Sequence, residues 1–248
     1  MALNIFPVRL RSALRRGYLP VRPKTPLEEL AYQRVARRGF IPASIVDVGA
    51  YEGNWTRLAR RVFPGIPVLM VEPQQSKLLH LESVTSALPG TSFVQMLLTA
   101  RAGEEKIFFE METGSSIFSE NSNVQRRPKT LISRTLDEIA TALPAPIMLK
   151  IDVQGAELEV LKGGEATLKR CGLVQLEVAV ACYNAGAPTM LEVLQFMEER
   201  GFRPFDISGE TRPNGADLVQ IDLLFAPAGS SLHRSFFEFP TRDETGSQ

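Results

Sequence analysis

VDVGAYEGNWT, residues Val46 to Thr56, runs out of a short apolar segment into an acid, turns through Gly49 and Gly53, and enters a segment with helical spacing. Gly49 permits a tight turn and lets a ligand approach the backbone. Gly53 removes a side chain where the start of the helix would pack close to that ligand. Asn54 or Thr56 is placed to cap the helix. A glycine pair after a strand is also what an ordinary strand-to-helix turn looks like, so the neighbouring segments must decide between the two.

Working outward, short apolar runs recur at Ser44 to Val48, Val68 to Val71, Ser92 to Leu98, Ile147 to Ile151 and Leu173 to Val180. Each reads as a buried strand. Between them Asn54 to Val62, Ser76 to Leu88, Glu157 to Leu168 and Thr189 to Arg200 carry helical periodicity, and Leu27 to Arg38, stopped by Gly39, forms a leading helix. This alternation predicts an α/β fold: a Rossmann-like, doubly wound, mostly parallel sheet with helices on both faces. Such a sheet binds its ligand at the first strand-to-helix turn, which here is the glycine turn. Two segments depart from the alternation. Ala100 to Pro146 is too long for a simple connection; Lys106 to Met111 and Leu131 to Leu136 read as short strands within it, and the polar run Glu112 to Thr130 as a mobile loop or lid. Near the C-terminus, Arg203 to Ile207 and Val219 to Ala226 read as an antiparallel hairpin.

The 248 residues allow one large domain with a real core, expected over 27–240 after a basic leader over 1–26, with a disordered tail from Thr241. Lys plus Arg equal Asp plus Glu at 28 each, so the chain lacks the basic field that carries affinity for nucleic acid. Cys171 and Cys182 have no CxxC spacing and no neighbouring histidine. That disfavours a zinc site or a disulfide framework and fits a reducing cytoplasm. The leader holds Arg9, Arg11, Arg15, Arg16, Arg22 and Lys24 before the first acid, Glu28, and arginines interrupt every apolar group, which excludes a secretory signal. Leu3, Phe6, Leu10 and Leu14 would give a helical stripe suited to an anionic membrane surface. The preferred reading is a mobile basic leader or a helix packed on the domain.

The second predicted strand ends in VEP and places Glu72 at its carboxyl edge, 25 positions after Asp47. That is close to the offset of about 20 at which an acid holds ribose hydroxyls. A dinucleotide pyrophosphate would want a third glycine and no acid in the turn, yet Glu52 stands there. A ligand with a cationic centre fits better, and S-adenosylmethionine has a sulfonium and an ammonium group. Asp152 ends the fourth core strand, facing the crevice, where it would orient an acceptor hydroxyl or take its proton; a helix cap near Gly155 is the alternative. Glu177, near the end of the fifth, is a second candidate for contact with the acceptor, or a buried acid paired with Lys150. Glu157 and Glu159 read as first-turn acids that suit the helix dipole. His80 and His233 read as surface or packing residues, and Trp55 as core. Asp152 and Glu177 leave metal assistance open as an alternative, but no set of residues at ligand spacing calls for a metal.

At this point the chain resembles the FkbM-type methyltransferases of the class I, S-adenosylmethionine-dependent fold. The resemblance rests on DVGAYEGNWT at Asp47 to Thr56, VEPQ at Val71 to Gln74, RTLDEI at Arg134 to Ile139, and above all LKIDVQGAELEVLKGG at Leu149 to Gly164 followed by VQLEV at Val174 to Val178. It implies a cofactor site over Asp47, Gly49, Ala50, Gly53, Asn54, Glu72 and Pro73, with Asp152 and Glu177 on the catalytic side. Ser115 and Ser116 match a serine-bearing loop of the family that touches cofactor or acceptor. The implied reaction is O-methylation of a sugar, glycan or other small natural-product hydroxyl. Two rivals are a nicotinamide-dependent oxidoreductase, disfavoured by the missing glycine and Glu52, and a non-catalytic binding protein on the same fold, disfavoured by the intact Asp47, Gly49, Gly53, Glu72 and Asp152. Amino-methylation is disfavoured because no Asn-Pro-Pro-aromatic motif occurs.

Overall fold

The computed structural model describes residues 25–121, 124–181, 183–213 and 215–235. The leader before position 25, Cys182 and the tail from Thr241 lie outside these residues, and so do the expectations placed on them. The chain opens with α1 (Leu27–Arg37), then alternates β1 (Ser44–Val48), α2 (Asn54–Val62), β2 (Val68–Val71), a 3-10 turn at Gln75–Lys77, α3 (Leu78–Ala87) and β3 (Thr91–Val94). A small three-stranded unit follows, made of β4 (Leu97–Leu98), β5 (Glu105–Glu110) and β6 (Arg127–Arg134) in the order β4-β6-β5. After α4 (Leu136–Ala140), the main sheet resumes with β7 (Ile147–Ile151), α5 (Glu157–Lys162), α6 (Glu165–Leu168), β8 (Cys171–Ala179), α7 (Met190–Glu199), β9 (Phe202–Thr211) and β10 (Gln220–Pro227).

The seven-stranded sheet runs β3-β2-β1-β7-β8-β10-β9. The first five strands are parallel, and β10 is antiparallel to both β8 and β9. The doubly wound sheet and its closing hairpin are as the sequence predicts. Every residue of β1, β2 and β7 is buried, as strands covered on both faces require. Successive side chains then serve different cores: Ile45 joins Tyr32, Trp55, Leu58, Leu81 and Val84 under α1, α2 and α3, while Val46 and Val48 join Leu136, Leu161, Val193 and Met197 under α4 to α7. The order reverses between β1 and β7, and the crevice opens at their carboxyl ends. Among the described residues no helix is long and apolar enough to cross a membrane.

Four local expectations are corrected. The run Ser92 to Leu98 is two strands, because the chain leaves the main sheet after Val94 and Leu97–Leu98 pairs with Ser133–Arg134 in the small unit. The strand expected at Leu131 to Leu136 begins earlier, at Arg127, and Leu136 instead starts α4, whose capping box joins Thr135 and Glu138. The helix expected over Glu157 to Leu168 breaks at Gly163–Gly164. Both glycines are packed tightly: a Cβ on Gly163 would stand 2.2 Å from the Thr99 carbonyl oxygen, and one on Gly164 would stand 2.6 Å from Leu136 Cδ2. The polar run is shorter as a loop than expected. Ser116 pairs with Phe109 as an isolated bridge, Glu120 with Asn184, and Arg127–Thr130 belongs to β6.

Candidate active site

The glycine turn is shaped by what surrounds it. Gly49 has φ +76°, and a Cβ there would lie 1.9 Å from the backbone oxygen of Asp152. Glycine is therefore required twice, for the left-handed backbone and for the close approach of the ends of β1 and β7. Gly53 also has a positive φ, 73°, but the space beside it holds Val84, 2.6 Å from a Cβ position, together with Leu81 and Met70. This corrects the expected ligand approach at Gly53: the residue lets α2 pack on α3. Helix α2 has no side-chain cap, so neither Asn54 nor Thr56 fills that role. Asn54 is exposed, and Thr56 Oγ1 donates to Asp47 Oδ2 at 2.7 Å.

Asp47 is fully buried, and the parallel register sets it directly beside Lys150 of β7. Lys150 Nζ lies 3.1 Å from Asp47 Oδ1 and 3.5 Å from Asp152 Oδ2, and it donates to the Gly49 carbonyl at 2.9 Å. Burial works against the ammonium, but Asp47 and then Asp152 outweigh it, so the Lys150 pKa lies above the ordinary lysine range. One buried cation thus joins the glycine motif to the crevice acid. Lys150 pairs with these two acids rather than with Glu177, which corrects the alternative read for it.

Glu72 closes the turn from the other side. Its Oε2 accepts the Tyr51 N–H at 2.8 Å and its Oε1 the Gln74 N–H at 2.9 Å. The carboxyl is buried, and that burial raises its pKa against the lowering effect of the two backbone donors. Tyr51 stands at φ +50°, and its ring meets Lys77. Lys77 Nζ sits 4.0 Å from that ring's centre, donates to Tyr51 Oη at 3.0 Å, and pairs with Glu112 at 2.8 Å and Glu52 at 3.5 Å. Glu112 begins the polar loop, so this cluster ties the loop to the turn.

The main cavity lies between these elements. Its lining includes Gly49, Tyr51, Glu72, Pro73, Ser115, Ser116, Asp152 and Gln154, with Val71, Met96, Leu98, Phe108 and Ile117 supplying apolar surface. Six residues singled out from sequence, Gly49, Glu72, Pro73, Ser115, Ser116 and Asp152, come together there. Asp47, Ala50, Gly53, Asn54 and Glu177 stand outside the lining. Both serines are engaged within the protein. Ser115 Oγ bonds Met111 of its own loop, and Ser116 Oγ donates to the Gln154 carbonyl at 2.8 Å.

Gln154, in the KIDVQGAE segment, is the residue that sequence reasoning missed. It has φ +56°, and its Nε2 donates to Asp152 Oδ1 at 3.1 Å and to Glu177 Oε2 at 2.7 Å. Its Oε1 accepts from Tyr183 Oη at 3.2 Å. Glu177 therefore stands behind Gln154. Burial, and then the neighbouring carboxylates of Asp152, Glu157 and Asp222, hold its pKa well above the carboxylate range. Glu157 is a first-turn acid as expected, and it is buried: its Oε1 accepts the N–H groups of Val153 and Gly155, and burial raises its pKa to about 7. The helix that it opens has no side-chain cap, so Asp152 does not fill that role. Trp55 is core, with Nε1 donating to Tyr32 Oη at 2.8 Å. Among the described residues, no three His, Cys, Asp or Glu side chains group as metal ligands.

No curated protein matches the chain significantly. Similar solved structures include a precorrin-6y C5,15-methyltransferase from Geobacter metallireducens, with 13% identity over 80% of this chain and 85% of that one and a TM-score of 0.45. A magnesium protoporphyrin IX methyltransferase from Synechocystis, solved with bound SAM, has 10% identity over 81% and 77% and a TM-score of 0.46. An rRNA methylase from Streptococcus thermophilus has 13% identity over 84% and 99% and a TM-score of 0.47. The model of the methyltransferase FkbM domain matches residues 47–204, well over half of the chain, from the acid beneath the glycine turn to the start of the closing hairpin. The chain belongs to the FkbM methyltransferase family.

Proposed function

We propose that the protein transfers a methyl group from S-adenosylmethionine to a hydroxyl of a sugar or other small natural product. The observation that carries this reading is the shared cavity: a backbone-clasped acid, Glu72, lines it together with an acid held from two sides, Asp152. The residues present suit the cofactor. Glu72 uses one lone pair of each oxygen on the Tyr51 and Gln74 amides, which leaves acceptor capacity for two ribose hydroxyls. Val71, Met96 and Leu98 offer an apolar slot for a purine, and Gly49 presents a backbone edge without a side chain.

When bound, the cofactor supplies an electrophilic methyl on a sulfonium. The chain's own residues align the acceptor and manage one proton. Methylating a hydroxyl oxygen requires that the oxygen lose its proton, and Asp152 is the cavity carboxylate we assign to take it. Lys150 on Oδ2 and Gln154 on Oδ1 fix its rotamer. Glu177, which accepts from Gln154 Nε2, acts through Gln154 and Asp152 as a positioning residue. A reducing cytoplasmic setting suits Cys171, a buried free thiol whose pKa burial pushes up to about 12, which makes it inert.

The test is transfer of a labelled methyl group to a panel of sugar, glycolipid and polyketide hydroxyls. Asp152→Asn keeps the shape and both neighbours, so its rate is expected to fall about 10² to 10⁴-fold while affinity for S-adenosylmethionine changes little. Near wild-type turnover in that variant would remove Asp152 from the chemistry, and label appearing on nitrogen or carbon instead of oxygen would overturn the O-methylation reading.

A further inference from the structure

The Gln154 main chain is held from two sides, because its carbonyl accepts from Ser116 Oγ and from Asn184 Nδ2, each at 2.8 Å. Its side chain has a choice. Gln154 lines the main cavity, where an amide can turn towards a ligand or water instead of towards Asp152. What holds that amide lies behind the cavity, in two residues that the proposed chemistry leaves unused. Tyr183 follows β8, and its Oη donates to Gln154 Oε1 at 3.2 Å. Gln220, buried at the start of β10, donates through Nε2 to Tyr183 Oη. The Tyr183 main chain is itself fixed, since its carbonyl accepts the Asn121 N–H at 2.7 Å.

The directions of these bonds follow from one another. As a carboxylate Asp152 can only accept, so Gln154 turns Nε2 to it and Oε1 away from it. An amide oxygen has no proton, so the single proton of the Tyr183 hydroxyl goes to Oε1. Tyr183 Oη is then left to accept, which sets the nitrogen of Gln220 rather than its oxygen against it. Burial, and then Glu177, raise the Tyr183 pKa, so the phenol keeps the proton that this chain needs. Among the described residues, no other donor bonds Gln154 Oε1.

We propose that Tyr183 is a positioning residue for methyl transfer: its hydroxyl, oriented by Gln220, anchors the Gln154 amide and so keeps Nε2 on Asp152 Oδ1. Tyr183 stands outside the cavity lining, and its effect reaches the acceptor only through Gln154. The chain of side chains runs from β10, past the end of β8, to the acid at the end of β7. This inference rests on reading Asp152 as the group that takes the acceptor's proton, and adds to it the means by which that carboxylate is kept in place.

The test uses the full chain with isotopically labelled glutamine and follows side-chain amide protons by NMR, with Gln154→Leu identifying the Gln154 signal. Tyr183→Phe removes one oxygen and is expected to speed exchange of the Gln154 amide protons with water about tenfold or more, the worth of one hydrogen bond. Gln220→Glu, read at about pH 8 where a carboxyl is ordinarily ionised, keeps the shape but can only accept. It should draw the Tyr183 proton to itself and free the Gln154 amide in the same way, which loss of a packing contact would not do. In labelled-methyl transfer to the hydroxyl that the wild type methylates, both variants are expected to lower kcat about tenfold with KM for S-adenosylmethionine unchanged. Unchanged Gln154 exchange in either folded variant, or a raised KM with kcat intact, would overturn the inference. If Tyr183→Phe does not fold, Gln220→Glu decides. Failure of S-adenosylhomocysteine to bind, or of every hydroxyl tried to be methylated, would instead strike the methyltransferase reading, and the amide exchange would still decide whether Tyr183 anchors Gln154.

Discussion

Replacing Gly49 by alanine tests whether the junction of β1 and β7 is as tight as its geometry implies. Two costs should add. A non-glycine residue held at φ +76° costs about 1 to 2 kcal/mol. The new methyl would also stand 1.9 Å from a backbone oxygen, that of Asp152, which no rotamer change can move, and overpacking of this kind adds about 1 to 3 kcal/mol. The first cost can be measured separately at Gly65, which has nearly the same φ, +80°, with nothing within 4 Å of a Cβ. Urea unfolding of both variants should therefore show Gly49→Ala less stable than Gly65→Ala by about 1 to 3 kcal/mol, the steric part alone. Calorimetry should also find S-adenosylhomocysteine binding weakened by Gly49→Ala and unaffected by Gly65→Ala, because only the former displaces the cavity wall. Equal destabilisation by the two substitutions would refute the close approach of the strand ends.

Lys150→Met removes the cation beside a fully buried Asp47 and should destabilise the fold by about 3 to 5 kcal/mol; adding Asp47→Asn to the same chain should recover a large part of that loss in urea unfolding. Glu157 is an acid whose pKa is raised on folding from the ordinary 4.5 to about 7, so the folded state binds more protons than the unfolded state between those values, and stability falls as pH rises through that window. Glu157→Gln keeps an oxygen for the Val153 and Gly155 amides and should flatten that slope, a change of about 1 to 3 kcal/mol across the window read by chemical denaturation at stepped pH.

The sheet was legible because its strands are short, apolar and bounded by turn residues; β1, β2 and β7 begin and end where the hydrophobic runs do. Glycine and strand-end acids marked the crevice for the same local reason. What escaped is decided by contacts distant in sequence. Lys150 meets the Gly49 carbonyl across 101 positions, and its alignment with Asp47 follows from strand register, which no local pattern states. Gln154 carried no signal of its own, because its three side-chain partners, Asp152, Glu177 and Tyr183, converge only once β7 and β8 are paired. The helix over Glu157 to Leu168 kept its periodicity across Gly163 and Gly164, yet the crowding by Thr99 and Leu136 that ends it comes from another part of the chain. Gly53 shows the converse error: the need for a missing side chain was legible, but its neighbour is α3 rather than a ligand.

Titration of S-adenosylmethionine into the wild-type chain and into Glu72→Ala, followed by calorimetry, bears most directly on the site. The wild type should bind one equivalent. The variant should lose charge-assisted hydrogen bonds worth about 1.5 to 3 kcal/mol, which is roughly a tenfold to more than a hundredfold loss of affinity. No binding to the wild type, or equal affinity in a folded Glu72→Ala, would contradict a cofactor site between Gly49 and Glu72.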